Sequence, residues 1–435
     1  MDVNPMSQVK KKILFHLPIP VEPQGFNGTQ GRILGVLKYF SDRKDFFEVY
    51  AVGGNKFGIP EWGSEQKQEI LNFVDNIFVY EGERNLCDFF YTRSQSIYYQ
   101  KLLRQQLPVD SDYFAPPGYV KFIRNLITQN KYDLIWVNNV DYAHLAAEKF
   151  SKVPTIIDMH DITSRFRLVR ENIPGFQELK FDYESNFTRE IKLINKFDTV
   201  IIDAQDEKTI LSSHLPSGKL HLVPTLIEGL SYESNRVPYQ GREFKYDLLF
   251  VGANNQPNKE GLNFFLNSVF PEIVRRKPDT RFAIVGKIVR EIQIDVSLQQ
   301  NVDCLGYVLD LADIYFKSRV AICPLITGAG TKFKLVEAMA YAMPIVATKT
   351  SASALSLIDG GNAFVTDEPS VYGERILRLL NEPELAQKIS EEVAVTFKNE
   401  HSSSAVYSKL DEILCISHSL NHATGKDLKM QRIIN

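Results

Sequence analysis

The chain has 435 residues, too many for one compact core, and its 44% apolar and 24% charged residues match an ordinary globular protein, not a disordered or fibrous one. A formal charge of -3 gives no support to generic nucleic-acid binding, which usually presents a net basic face, so no nucleic-acid partner is expected. The four cysteines (Cys87, Cys304, Cys323, Cys415) are widely spaced and form no C-x-x-C pair, which argues against a zinc site or disulfide framework and fits a reducing compartment.

The first apolar run follows Lys10–Lys12 and is broken by Pro18 and Pro20, so it reads as a strand, Ile13–Leu17, and not as a signal peptide. Nowhere does the chain approach the roughly 20 apolar residues needed to span a bilayer. A cytoplasmic protein is expected. After this strand Gly25, Gly28, Thr29 and Gly31 form a glycine-containing loop opening a helix near Thr29. A glycine cluster alone is more often a plain strand-to-helix turn. Further short runs rich in Val, Ile, Leu and aromatics follow at Glu48–Val52, Asn76–Tyr80, Asp133–Asn138, Thr155–Met159, Thr199–Asp203 and Leu220–Pro224. Between Asn76–Tyr80 and Asp133–Asn138 lies DFFYTRSQSIYYQKLLRQQ (Asp88–Gln106), aromatic and partly basic. It reads first as a packed helix pair and second as a surface for peripheral membrane contact. His160 and Asp161 end the run IIDMHD and are expected to project from a strand end; Arg165 and Arg167 follow them.

The segment Gly229–Asp247 is polar, carries Pro238 and Gly241 and shows no apolar period, so it reads as a hinge. Beyond it the pattern restarts: Asp247–Val251, Arg281–Val285, Val302–Gly306, Val320–Pro324, Ile345–Thr348 and Ala363–Thr366, again separated by helical stretches. Continuous apolar runs between helices predict strands covered on both faces, hence parallel sheets. The expected architecture is α/β: two doubly wound, Rossmann-like domains facing across a cleft, over residues 1–235 and 236–400. Residues 401–435 are expected to supply a helix returning to the first domain and a polar tail. In such sheets ligands sit beyond the carboxyl ends of the strands.

The most informative stretch is VAICPLITGAGTKFKLVEAMAYAMPIVAT, from Val320 to Thr348. Strand, glycine-containing loop and helix N-terminus present backbone N–H groups to an anion. Thr331 is the expected N-cap of a helix over Lys332–Tyr341. Lys332 and Lys334 stand in its first turn, where the helix dipole disfavours cations. Two solvated lysines are the bland reading; a diphosphate bound at that terminus makes their placement favourable. Glu337 sits among small apolar residues, where a carboxylate without partners costs several kcal/mol. Pairing with Lys334 or exposure is one account, although Lys before Glu is the weaker order on a helix. Accepting two ribose hydroxyls is the other.

The stretch GTKFKLVEAMAYAMPIVAT resembles the signature of the retaining glycosyltransferases of family four, which have the GT-B fold of two facing Rossmann-like domains. The resemblance extends weakly from about Lys12 to Leu414, through Leu248–Lys287 and the approach to the site around Gly306 and Tyr307. It implies a nucleotide-diphosphate sugar, a UDP-sugar among the candidates, as co-substrate. Glu337 would bind its ribose, and Lys332 or Lys334 would neutralise its diphosphate. Gly328, Ala329, Gly330 and Thr331 would form the loop around it, with Gly252, Lys259, Gly306 and Tyr307 as further contacts on the same domain and Gly28 and Thr29 as contacts from across the cleft. Arg32 would assist there. His160 would touch the transferred sugar and joins Lys332 and Lys334 as a catalytic candidate. Asp161, Arg165 and Arg167 would lie on the acceptor side. The family commonly has Glu where this chain has Ala329, and Gly where it has Met343. No metal is expected, since this fold uses lysines and helix dipoles where GT-A enzymes use a D-x-D metal site. Asp110-Ser111-Asp112 matches that pattern only as a short loop sequence after Pro108.

The resemblance therefore implies a hexose-type transferase in polysaccharide or glycoconjugate synthesis, acting on a glycan, lipid-linked or protein hydroxyl, with at most peripheral contact at the inner face of a membrane. Two readings compete: a nucleotide-sugar 2-epimerase on the same scaffold, and a non-catalytic partner subunit that has lost the Glu at position 329.

Overall fold

The computed structural model describes residues 9–20, 28–55, 62–82, 85–148, 152–171, 179–226, 238–308, 311–328 and 330–415. The expected hinge therefore lies partly outside the described residues, as do Gly25, Ala329 and the polar tail beyond 415.

Seven strands form the first sheet: β1 (Lys11–His16), β2 (Phe47–Asn55), β3 (Asn76–Glu81), β4 (Leu134–Asn138), β5 (Thr155–Asp158), β6 (Thr199–Ile202) and β7 (Leu220–Leu222). Their order is β3-β2-β1-β4-β5-β6-β7, and every pairing is parallel. A second sheet holds β8 (Tyr246–Val251), β9 (Phe282–Val285), β10 (Val302–Gly306), β11 (Ser318–Cys323), β12 (Ile345–Ala347) and β13 (Phe364–Val365), in the order β10-β9-β8-β11-β12-β13, also parallel throughout. The chain thus has the GT-B architecture, and each strand matches an apolar run read from the sequence.

Successive residues of a strand point to opposite faces, and here both faces are covered. In β1, Ile13 and Phe15 join Ile33, Leu37 and Phe40 of the helix Gly28–Asp42 and Trp136 of β4. Leu14 faces the other way, with Tyr119 and Ile123 of the helix Pro117–Gln129. Burial on both sides is why these runs are apolar without alternation. The helix Ser403–Ile413 crosses back onto the first sheet, where Val406, Leu410 and Leu414 enter the same cluster as Phe40 and Phe47. Asp411 fixes it there, accepting hydrogen bonds from Tyr39 (2.8 Å) and from both Nε and Nη2 of Arg43 (2.7 and 2.6 Å).

The order in which strands are added reverses at one place in each sheet, between β1 and β4 and between β8 and β11. At such a switch the connections leave to opposite faces and open a crevice at the carboxyl ends. The loops following β1, β5, β8 and β11 carry most of the residues singled out in the sequence.

Candidate functional site

The loop after β11 turns on two glycines with positive φ, Gly328 (+120°) and Gly330 (+69°). This region is costly for residues with a Cβ. Gly330 has a second constraint: a Cβ there would lie 2.0 Å from Oδ1 of Asp161, on the loop after β5. Its α-carbon is thus one of the places where the two domains approach.

The helix that follows spans Phe333–Ala340, with Lys332 and not Thr331 as its N-cap. The expected cap is displaced by one residue, and Thr331 Oγ1 is buried with no hydrogen-bond partner among the described residues. No acid stands in the first turn and no side chain caps it. Leu335 N already donates to the Lys332 carbonyl at 2.8 Å, so of the first turn the N–H groups of Phe333 and Lys334 are left to point out along the axis. Lys332 Nζ reaches back to the Gly330 carbonyl at 2.6 Å. Lys334 Nζ donates to Asn258 Oδ1 at 2.5 Å and lies 4.2 Å from the centre of the Phe250 ring. Burial lowers both amines from their ordinary value, Lys334 to about 8, and the Lys332 cation adds to the effect there. Two desolvated cations at a helix N-terminus make a site that gains from binding a polyanion.

Glu337 is not exposed and is not hydrogen-bonded to Lys334. It accepts from the hydroxyl of Tyr315 at 2.9 Å. Burial pushes its pKa up, against the lowering by Tyr315 and the Lys334 charge. The remaining oxygen stays available to a hydroxyl donor. Tyr315 and Asn258, which hold Glu337 and Lys334 in place, come from the helices Leu311–Phe316 and Gln256–Ser268. Neither stood out in the sequence, because their only signal is tertiary contact.

Gly252 leaves β8 beside Asn258; a Cβ on it would meet Asn258 Nδ2 at 3.3 Å. It also packs against Gly286, whose Cβ would fall 2.1 Å from the Gly252 carbonyl oxygen, and Gly286 N donates to Gly306 O at 2.6 Å. Three glycines therefore line the carboxyl ends of β8, β9 and β10, with the Tyr307 side chain exposed just beyond. Gly286 was not among the sequence candidates. Lys259 stands apart: its Nζ is paired with Glu291 at 2.9 Å.

Across the cleft, the ring of Phe333 lies on the start of the helix Gly28–Asp42. A Cβ on Gly28 or on Gly31 would meet it at 3.1 Å. Thr29 sits between them, half-buried. Arg32 does not face the cleft as expected. It is buried, with Nε 2.6 Å from Asp158 and Nη1 3.9 Å from Asp203, and Nη1 also donates to the Val223 carbonyl at 2.9 Å. Two buried carboxylates need this cation, so it ties β5, β6 and the loop after β7 to the helix.

His160 follows β5 with φ of +65° and is 7% exposed. Asn138 at the end of β4 donates its Nδ2 to the His16 carbonyl (2.7 Å), which leaves Oδ1 to accept from His160 Nε2 (3.0 Å). His160 is therefore the Nε2–H tautomer, and its Nδ1 lone pair has no partner among the described residues. Burial and the Arg32 charge lower its pKa to about 3, so it is neutral. Asp161, beside it, is raised by burial and by Asp203, against the pull of Lys332. Arg165 and Arg167 are held within the first domain, by Asp206 and Asp141, each at 2.7 Å. Of the D-x-D residues, Asp110 pairs with Arg189 and Asp112 accepts from Tyr91 and Gln95. Among the described residues no group of three or more His, Cys, Asp or Glu is placed to hold a metal ion.

The structure thus gathers Gly328, Gly330, Thr331, Lys332, Lys334, Glu337 and Gly252 in one place, and brings Gly28, Gly31 and the His160–Asp161 loop to its open side. A cationic helix terminus stands at the switch point of one Rossmann-like sheet and is faced by a second such sheet. Residues 245–382 match the family model of glycosyl transferases group 1.

Solved structures of the same fold cover nearly the whole chain. Alr3699/HepE of Anabaena, crystallised with UDP and glucose, is 15% identical with a TM-score of 0.60, covering 93% of this chain and 99% of that one. A glycosyltransferase of Rickettsia africae is 14% identical with a TM-score of 0.62, over 93% and 97%. The sucrose-phosphate synthase of Thermosynechococcus elongatus is 13% identical with a TM-score of 0.61, over 94% and 100%. An uncharacterised 44.6 kDa protein of the cps region of Klebsiella pneumoniae is 26% identical over 152 residues, 31% of this chain and 39% of the relative. The match therefore spans well under half of that relative's length.

Proposed function

We propose that this chain is a retaining, metal-independent glycosyltransferase that moves a hexose-type sugar from a UDP-linked donor to a hydroxyl of a glycan or glycoconjugate. One observation carries the reading: Lys332, Lys334 and Glu337 stand together on an acid-free helix N-terminus that faces the other domain across the cleft. The two amines and the first-turn N–H groups take the charge that develops on the leaving diphosphate, which is the electrostatic part of the catalysis. The second oxygen of Glu337 accepts a ribose hydroxyl. His160 Nδ1 accepts a hydroxyl of the transferred sugar, and Gly328 and Gly330 offer backbone N–H groups where Ala329 has no carboxylate. With no side-chain nucleophile assigned, retention follows from front-face attack by the acceptor hydroxyl, whose proton passes to the departing phosphate oxygen. UDP is favoured among the nucleotides because the Anabaena protein of the same fold was crystallised with it.

The test is calorimetric titration with UDP, GDP, ADP and TDP, with and without EDTA, on the wild type and on Glu337→Ala. UDP is expected to bind the wild type, and the variant about tenfold to a hundredfold more weakly, as for loss of hydrogen bonds to a charged group. No nucleotide binding would sink the reading and favour a non-catalytic partner subunit. Binding abolished by EDTA would sink metal independence. Free UDP released without acceptor glycosylation, together with a C2-inverted sugar, would favour the epimerase.

A further inference from the structure

The helix Leu86–Ser96 runs without a break into a π-helical turn, Ile97–Leu102. The stretch expected as a packed helix pair is thus one rod, and it follows β3 at the carboxyl end of the first sheet. Its polarity is inverted. A surface helix turns its apolar stripe to the core and its polar face to water. Here the inner side is polar, along positions spaced by four and three residues. Asp88 is buried and accepts from the Tyr80 hydroxyl (2.6 Å) and from Gly118 N (3.0 Å). Thr92 donates to the Asp88 carbonyl (2.9 Å), and Gln95 donates to Asp112 (2.6 Å).

The outer side carries the apolar residues. Leu86, Phe90, Ile97, Tyr98, Leu102 and Leu103 face solvent, from 40% exposed at Ile97 to 70% at Leu102. Arg93, Lys101 and Arg104 stand among them, also exposed, and none is in a salt bridge among the described residues. From Leu86 to Arg104 the one acid is Asp88, on the buried side. Large apolar side chains gathered on one exposed face mark an interaction surface. Its charge has a single sign, which tells against a second copy of this chain: a two-fold contact would set these cations against one another. Anionic lipid satisfies both features, giving the rings and leucines an apolar medium and the cations their counter-charge. None of the described helices is long and apolar enough to cross a membrane, so such a contact lies on the surface.

We propose that the outer face of Leu86–Arg104 docks the protein on a bilayer containing anionic phospholipid. Phe90, Tyr98 and the leucines enter the boundary between headgroups and acyl chains, and Arg93, Lys101 and Arg104 meet the lipid phosphates. The carboxyl end of the first sheet, where His16 and Asn138 stand, is thereby held toward the lipid. The proposal does not depend on the transferase reading.

The experiment is co-sedimentation of the full chain with phosphatidylcholine vesicles, with and without phosphatidylglycerol, at low and high salt. Two double variants are compared with the wild type: Phe90→Gln with Leu102→Gln, and Arg93→Gln with Lys101→Gln. All four positions are exposed, so the variants are expected to fold, and unchanged melting temperatures check this. The wild type is expected to sediment with the anionic vesicles and not the neutral ones, less so at high salt. The apolar variant should bind them at least tenfold more weakly, and the charge variant about fivefold more weakly per cation removed. A wild type that stays in the supernatant with anionic vesicles overturns the proposal, as does full binding by either variant. Sedimentation velocity adds a further outcome: a wild-type dimer that the apolar variant dissociates, without vesicle binding, assigns the face to a second copy and overturns the lipid proposal. UDP titrated into the same proteins separates the two readings. Vesicle binding by a wild type that binds no UDP supports the lipid surface and sinks the transferase, whereas UDP binding without vesicle binding sinks the surface alone.

Discussion

Lys334 is a cation in a place that punishes cations: a desolvated first turn, with a second lysine two residues before it. The protein tolerates it through Asn258 and the face of Phe250. Because burial lowers its pKa to about 8, the sign of two pH effects follows. For stability, the folded group gives up its proton before the unfolded one, so the penalty is full below pH 8 and is relieved as pH rises from about 8 toward the ordinary lysine value. For binding, the diphosphate needs the charged amine. UDP affinity is therefore expected to fall by up to about tenfold per pH unit above 8, as proton uptake becomes part of binding. Titration calorimetry in buffers of different ionisation enthalpy measures that uptake directly. Lys334→Arg, whose charge persists, should flatten the profile; an equally steep profile in that variant would assign the effect to another group.

At the scale of elements, the helix Ser403–Ile413 belongs to the first sheet although the chain reaches it from the second. Its three apolar contacts and the Asp411 clamp make it a strap over the helix Gly28–Asp42. Asp411→Ala leaves the Arg43 guanidinium and Tyr39 hydroxyl without their acceptor. The cost is expected to be roughly 3 kcal/mol, as when one partner of a largely buried ion pair is removed. It should appear in urea unfolding as an earlier transition of the first domain, and a variant as stable as the wild type would show that the strap is held by its apolar side alone. The apolar period of SAVYSKLDEIL made this helix legible in the sequence. Its partner was not, since Arg43 and Asp411 are 368 residues apart.

In the whole molecule, the contacts between the two domains include Phe333 on Gly28 and Gly31, Gly330 on Asp161, and a hydrogen bond from Gln205 N to the Ala354 carbonyl (3.3 Å). The absence of side chains at these glycines lets the donor-side loop reach the facing domain. Gly31→Leu puts a branched side chain where the Phe333 ring lies. The helix itself should gain, since leucine is favoured over glycine by roughly 1 kcal/mol. Any loss is then a loss of closure. Small-angle scattering is expected to show a larger radius of gyration with UDP present, and sugar transfer to fall at least tenfold, because an open cleft admits water and separates donor from acceptor. Unchanged scattering and turnover would mean that closure does not depend on this contact.

Local pattern carried the strands, and with them the two parallel sheets: an apolar run covered on both faces is written in consecutive residues. The same holds for the glycine loop and the misplaced lysines of Thr327–Glu337, because a helix N-terminus and its dipole are properties of one segment. What the tertiary structure alone decided is which charges are already partnered. Arg32 and Lys259 look alike in sequence to Lys332, but Asp158, Asp203 and Glu291 come from distant segments. The tautomer of His160 and the support of Glu337 by Tyr315 are likewise set by residues that meet only after folding. A hydrogen bond between elements leaves no periodicity in either of them.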